Sequence, residues 1–329
     1  MSSLAPLLQG FFTDRLAHQR QASEHTVVAY RDTIRLLLRY ASQQTGKQPA
    51  GLDLGDLGAT LIGAFLRHLE NGRGNGTTTR NARLAAIHSL FRYAAFRVPE
   101  HSALIQQVLA IPSKRTERRD VCYLTRDEIE ALLTAPDLNT WWGRRDHALL
   151  HLAVQTGLRV CELTGVQLQD IYLGRGPRVL CHGKGRKDRA TPLTPHTVTV
   201  LRGWLAERGG NPADPLFCSR RGSRLSPDAV ARLVAKHTDT AAAARASLRT
   251  KNVTPHTLRH TAAMSLLHAG ADTSVIALWL GHESQETSMI YLHADMTLKE
   301  RALARTTPPD SKPGRYTAPD PVLAFLNSL

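Results

Sequence analysis

Apolar residues recur along most of the chain at intervals of three and four, the period of helices that bury one face. Phe11, Phe12 and Leu16 predict a first helix over Phe11–Gln19. Ser23 can cap a second, with Val27, Ile34, Leu37, Leu38 and Ala41 inward, to about Gln44. Leu61, Ile62, Phe65, Leu66 and Leu69 mark a third, stopped by the glycine-rich turn Asn71–Gly76. A fourth starts at Thr77 or Thr78 and carries Leu84, Ile87, Leu90, Phe91 and Ala94, and Val108–Pro112 closes the unit. The pattern is that of a small bundle of four or five helices.

From Pro112 to Asp120 the apolar period stops, and residues 114–120 form a polar, basic linker. It divides an N-terminal domain (1–113) from a larger domain (121–305), followed by a tail (306–329). Structure resumes at Leu124, where Thr125 and Glu128 have capping-box spacing and Leu124 and Ile129 that of a hydrophobic staple. A helix over Asp146–Thr156 ends at Gly157; Val160, Leu163 and Val166 bury the next turn. Val179–Pro192 alternates around Gly183-Lys184-Gly185 and predicts a β-hairpin. Trp204, Leu205, Leu216 and Phe217 add core, Ser226-Pro227 starts a helix through Val230, Leu233 and Val234, and the alanine-rich run Thr240–Leu248 predicts another. Thr254 caps a helix with Pro255 in its first turn, and Gly270 ends it. Asp272 or Thr273 starts the next, which carries Ile276 and Leu280 and stops at Gly281. A short apolar segment, Met289–Leu292, and a helix over Leu298–Ala304 follow. Thr306–Pro319 is proline-bearing, and Val322–Leu326 is a short apolar end. The fold class is mainly α with one small β-sheet.

Charge changes the picture. The 329 residues carry a formal net charge of +14, with 42% hydrophobic residues. That is a globular composition with an attraction for polyanions, nucleic acid first. No apolar run approaches the ~20 residues of a membrane span, and Met1–Gly10 lacks the basic and apolar regions of a secretory leader. Cys122, Cys161, Cys181 and Cys218 have no paired spacing, which points to reduced thiols in the cytoplasm and away from zinc.

The polar positions then offer chemistry. His256 and Arg259 lie three apart on one face near a helix N-terminus, where free N–H groups favour an anion. Arg159 stands at the mouth of an apolar helix and needs an anion, either Glu162 or a substrate. Lys184, on a hairpin tip, can reach into a site made elsewhere, and His282 projects just past a helix stop. In the N-terminal bundle, Thr26, Tyr30, Arg31, Thr79, Arg80, Asn81 and Arg83 are residue types that reach phosphates and base edges, and Lys114 and Arg115 could follow a phosphate backbone. Taken singly, each is as well explained by a solvated helix face or a hydrogen-bonded histidine.

Taken in order, T-G-L-R-x-x-E-L around Arg159, G-K-G-x-K-x-R around Lys184, P-H-x-L-R-H around His256 and Arg259, L-G-H at His282 and the final Tyr291 resemble the tyrosine recombinase (phage integrase) family. The resemblance runs to about residue 305. It implies a SAM-like core-binding domain and a helix-rich catalytic domain that together clamp duplex DNA, with other recombinase protomers as partners. It implies that Tyr291 attacks a DNA phosphate to give a 3′-phosphotyrosyl bond, Arg159 and Arg259 grip the phosphate, and Lys184 protonates the leaving 5′ oxygen. It further implies that His256 assists proton transfer at the tyrosine, His282 hydrogen-bonds the phosphate and Glu162 orients the arginines. No metal or other cofactor is required. Two other readings stay open here: a DNA-binding regulator without chemistry, which has no use for Tyr291, and a type IB topoisomerase, which shares the chemistry but works alone.

Overall fold

Helices dominate both of the units into which the chain divides, Met1–Arg119 and Asp120–Leu329. The computed structural model describes residues 4–116, 121–183, 188–281 and Tyr291. Lys184, His282, part of the linker, the expected helix over Leu298–Ala304 and the whole tail lie outside the described residues.

In the first unit, α1 (Leu4–Gly10) runs into a wider, π-helical stretch, Phe11–Gln19, with Phe11 and Leu16 buried. Helix α2 (Glu24–Thr45) is capped by Ser23, whose hydroxyl accepts from the Thr26 N–H, and ends on left-handed Gly46. Helices α3 (Ala59–Asn71) and α4 (Thr77–Ala94) turn Ile62, Phe65, Leu66, Leu69, Leu84, Ile87, Leu90 and Phe91 into one core. A further helix, α5 (Ser102–Leu109), begins before the expected Val108–Pro112 segment and buries Ile105 and Val108.

In the second unit, the Thr125–Glu128 capping box forms and starts α6 (Arg126–Thr134). Helix α7 (Trp141–Thr156) begins a turn earlier than expected, because Thr140 caps it by accepting from the Gly143 N–H. It ends on Gly157, at φ 63°, and a Cβ there would lie 2.6 Å from Leu280 Cδ2. Only glycine meets both demands. Helix α8 (Val160–Gly165) follows Arg159 directly. Three antiparallel strands come next, in the order β1 (Ile171–Tyr172), β2 (Arg178–His182), β3 (Asp188–Pro192), with Val179 opposite both Ile171 and Thr191. The hairpin is the one expected; β1 is an addition. Helices α9 (Pro195–Arg208) and α10 (Pro227–Ala241) pack Leu201, Trp204, Val230 and Val234 into the main core.

The expected helix over Thr240–Leu248 does not form. Helix α10 stops at Ala241, and the chain turns into a short 3-10 segment, Ala246–Thr250. Buried Glu128 accounts for the turn, since it accepts from Ser247 Oγ at 2.7 Å and Lys251 Nζ at 2.6 Å. Tertiary partners outweigh alanine's helix propensity here. Helices α11 (Pro255–His268) and α12 (Thr273–Leu280) begin at the expected caps, Thr254 and Asp272, and α12 ends on left-handed Gly281. No described helix is long and apolar enough to cross a membrane.

Candidate active site

The ends of α7, α8, α11 and α12 supply the site. Each contributes a polar terminus whose backbone groups helix geometry leaves unpaired. Arg259, on the first turns of α11, is 3% exposed. Its guanidinium donates to the carbonyl of Gly157 at 2.7 Å and that of Leu280 at 2.9 Å. The C-termini of α7 and α12 therefore fix the orientation of a residue from α11. Burial, and then the charge of Arg159, press its pKa down to about 10, so it stays cationic at neutral pH.

Arg159 is solvent-accessible, yet it is held. Nη1 donates to Glu162 Oε1 at 3.0 Å and Nη2 to the Gly281 carbonyl at 2.9 Å. Its backbone N–H donates to Glu162 Oε2 at 2.9 Å. Glu162 is thus the anion that sequence spacing offered to Arg159. Burial works against its charge, but Arg189 and the Arg159 N–H hold the carboxyl below its ordinary range.

Tyr291 is 1% exposed and packs among Ala263, Met264, Leu267, Ile276 and Leu280. Its hydroxyl lies 3.1 Å from His260 Nδ1. Burial raises its pKa, against the opposing charges of Arg259 and Arg159. His260 is pressed down to about 4 by burial, His256 and Arg259, and is neutral at pH 7. The family resemblance assigns the tyrosine's proton to His256. In the structure His260 is hydrogen-bonded to the hydroxyl, and the His256 ring lies against that of His260, with centroids 4.3 Å apart at 71°. Partial burial and the Arg259 and Arg159 charges lower the pKa of His256 as well.

Sequence reasoning assigned no role to His260 or Arg189. The motifs G-K-G-x-K-x-R and P-H-x-L-R-H contain both, but only the folded contacts show what they touch. Arg189, at the start of β3, donates to both oxygens of Glu162, at 2.7 and 3.1 Å, and to the Trp279 carbonyl at 3.1 Å. Among the described residues, three guanidiniums and one carboxylate meet here, an excess of positive charge suited to an anionic substrate.

These features and the order of the motifs find a match in known proteins. The description "Phage integrase family" fits residues 122–297, and "Phage integrase, N-terminal SAM-like domain" fits residues 10–97. The chain belongs to the phage integrase family. It is a tyrosine recombinase, an enzyme that breaks and rejoins DNA; a bare regulator and a lone topoisomerase are not favoured. It is 55% identical to a protein of Sinorhizobium fredii named integrase/recombinase y4rC, over 100% of this chain and 99% of that one. It is 34% identical to the tyrosine recombinase XerC of Pelobacter propionicus, covering 89% of this chain and 93% of that one. Among solved structures it resembles the XerH site-specific recombinase bound to palindromic difH substrate in a post-cleavage complex, with TM-score 0.70 and 25% identity, over 87% of this chain and 81% of that one.

The candidate contacts of the first unit separate into two groups. Thr79, Arg31 and Arg115 are exposed, and Thr26 and Tyr30 half-buried, on the bundle surface. Arg80 is a correction: it is 6% exposed and donates to the Pro112 carbonyl at 3.0 Å. Asn81 exchanges hydrogen bonds with the Lys114 backbone at 2.8 and 3.0 Å, Lys114 Nζ pairs with Glu70 at 2.8 Å, and Arg83 donates to Thr33 at 3.1 Å. These side chains hold residues 112–114 against the bundle or tie α4 to α2.

Proposed function

We propose that this recombinase exchanges strands between paired duplex DNA sites through a 3′-phosphotyrosyl intermediate at Tyr291. The observation carrying the proposal is a buried tyrosine hydroxyl under the charges of two immobilised arginines. In this reading Arg259 and Arg159 bind the non-bridging oxygens of the scissile phosphate and stabilise the charge that builds there in the transition state. Glu162 and Arg189 keep Arg159 in place. Lys184 and His282, by their positions in the motifs, serve as acid to the leaving 5′ oxygen and as donor to the phosphate. His256, at the N-terminal turn of α11, adds a donor on the phosphate side.

The phosphotyrosyl bond conserves the energy of the phosphodiester, so the 5′-hydroxyl of another strand can reverse the step without ATP or metal. Exchange between two duplexes breaks four strands. With one nucleophilic tyrosine, Tyr291, per chain, the working assembly is a tetramer on paired sites. Domain 1–113 holds duplex DNA through its exposed residues, and domain 121–305 carries the chemistry, acting at the nucleoid in the cytoplasm. Integration, excision and dimer resolution are one chemistry on differently arranged sites.

The test is the Tyr291→Phe variant on a nicked suicide duplex. It retains DNA binding, which rests on many phosphate contacts, and forms no covalent complex. A covalent complex in that variant would overturn the proposal.

A further inference from the structure

Beyond the tyrosine, the proposed site requires something to receive its proton. A phenol whose pKa burial has raised holds that proton at neutral pH and is a poor nucleophile until a base accepts it. Among the described residues, the ring nitrogen hydrogen-bonded to the hydroxyl is His260 Nδ1, at 3.1 Å, with the two rings near perpendicular at 68°. We propose that His260 is a catalytic residue of the recombinase, its Nδ1 taking the Tyr291 proton as the phenol oxygen attacks phosphorus and returning it when the strand is rejoined. The proposal rests on Tyr291 being the nucleophile.

The surroundings suit this role. His260 sits one turn beyond His256 on α11, whose start is fixed by the Thr254 cap and Pro255, so the ring is carried by a rigid element. The groups facing the pair are His256 and Arg259 from α11 and Arg159 at the start of α8, with Glu162 behind the arginines. Burial first, and then His256 and Arg259, keep protons off His260 in the resting enzyme, so that Nδ1 can accept. A bound phosphodiester anion offsets the guanidinium charge. The ring then becomes more basic only when substrate is in place.

Atoms and charges balance. The Tyr291 O–H bond breaks and an N–H bond forms at His260; the Tyr291 oxygen–phosphorus bond forms. The bond from phosphorus to the 5′ oxygen breaks, and that oxygen takes a proton from the acid assigned to Lys184. His260 gains one positive charge and Lys184 loses one. Rejoining runs every step backwards.

The experiment measures single-turnover cleavage of a nicked suicide duplex by wild type, His260→Asn, His260→Gln and His256→Asn, across neutral and alkaline pH. Each protein carries either tyrosine or difluorotyrosine at position 291. Folding is checked by circular dichroism and DNA binding. Loss of the base slows His260→Asn and His260→Gln by about 10²-fold at neutral pH, and their rates climb with pH as the phenol ionises unaided. Difluorotyrosine, whose phenol is more acidic, recovers much of the loss. Lys184→Ala, impaired at the leaving group, gains nothing comparable. Wild-type rates in both His260 variants would overturn the proposal, as would a slowing that difluorotyrosine leaves untouched, or relief confined to His256→Asn. Cleavage by Tyr291→Phe would instead defeat the nucleophile assignment itself, so the two failures are distinguishable.

Discussion

Arg189 grips Glu162 with two parallel hydrogen bonds, Nη2 to Oε2 at 2.7 Å and Nη1 to Oε1 at 3.1 Å. The pair joins β3 to α8, and the Arg189 Nε ties both to the end of α12 through the Trp279 carbonyl at 3.1 Å. The two side chains are only 13% and 7% exposed. Without Arg189 the buried Glu162 carboxylate keeps only its Arg159 contacts and loses two charge-assisted hydrogen bonds, a cost of about 2 kcal/mol. Arg189→Ala is therefore expected to lower the denaturation midpoint and to slow cleavage together, and Arg189→Lys, which cannot make the parallel contact, to restore little of either. Urea melts and suicide-substrate rates on the same preparations check this; a variant that cleaves normally would show that Arg159 needs no such support.

Arg159 and Arg259, the two arginines proposed to bind the phosphate, are expected to differ in what their loss costs. Arg159→Ala removes a preorganised donor to developing charge, worth ~3–4 kcal/mol of transition-state stabilisation, while barely altering stability, since its side chain is 44% exposed. Arg259→Ala loses the same chemistry and also leaves the carbonyls of Gly157 and Leu280 without their donor. Single-turnover rates should fall alike, and the melting temperature should drop only for Arg259→Ala.

Acid stability gives a separate check on the second unit. His151 is buried on α7 beside His147 and His196, with ring centroids 4.4 and 4.9 Å away. Burial, then those neighbours, lowers its pKa from 6.5 to about 4. The unfolded chain thus binds its proton first on acidification. The stabilisation is full above pH 6.5 and is lost as pH falls towards 4, about 3 kcal/mol in all. His151→Asn should flatten the stability profile across that window. An unchanged slope would mean that His151 is protonated in the folded protein.

Much of this architecture was readable from local chemistry. Ser23, Thr125, Thr254 and Asp272 cap the helices they were expected to cap, and Gly157 and Gly281 end the ones before them, because a cap depends on residues within one turn. Long-range partners were not readable. The Glu128 contacts that bend Ala242–Thr250 away from a helix join positions more than a hundred residues apart. So does the pair formed by Arg259 and Gly157. Arg80 looked like a surface arginine because its periodic position does not reveal that residues 112–114 fold back over it.

That fold-back determines where the first unit can be cut. A fragment ending at residue 116 keeps the contacts of Arg80 and Asn81 with Pro112 and Lys114; one ending at residue 111 loses them. The longer fragment is expected to fold and bind duplex DNA weakly, with log affinity falling ~0.9 per phosphate contact per log unit of salt. The shorter should melt lower. A salt-independent titration of the longer fragment would contradict a DNA-gripping role.

The central claim is that Tyr291 becomes joined to a DNA 3′-phosphate. Its most direct measurement traps the covalent complex on a nicked suicide duplex, digests it, and locates the nucleotide by peptide mass spectrometry while end-labelling reports the strand polarity. The account predicts one modified peptide, with the nucleotide on Tyr291 through a 3′-phosphate and a free 5′-hydroxyl on the released strand. A nucleotide on any other residue, or attachment through a 5′-phosphate, would contradict it.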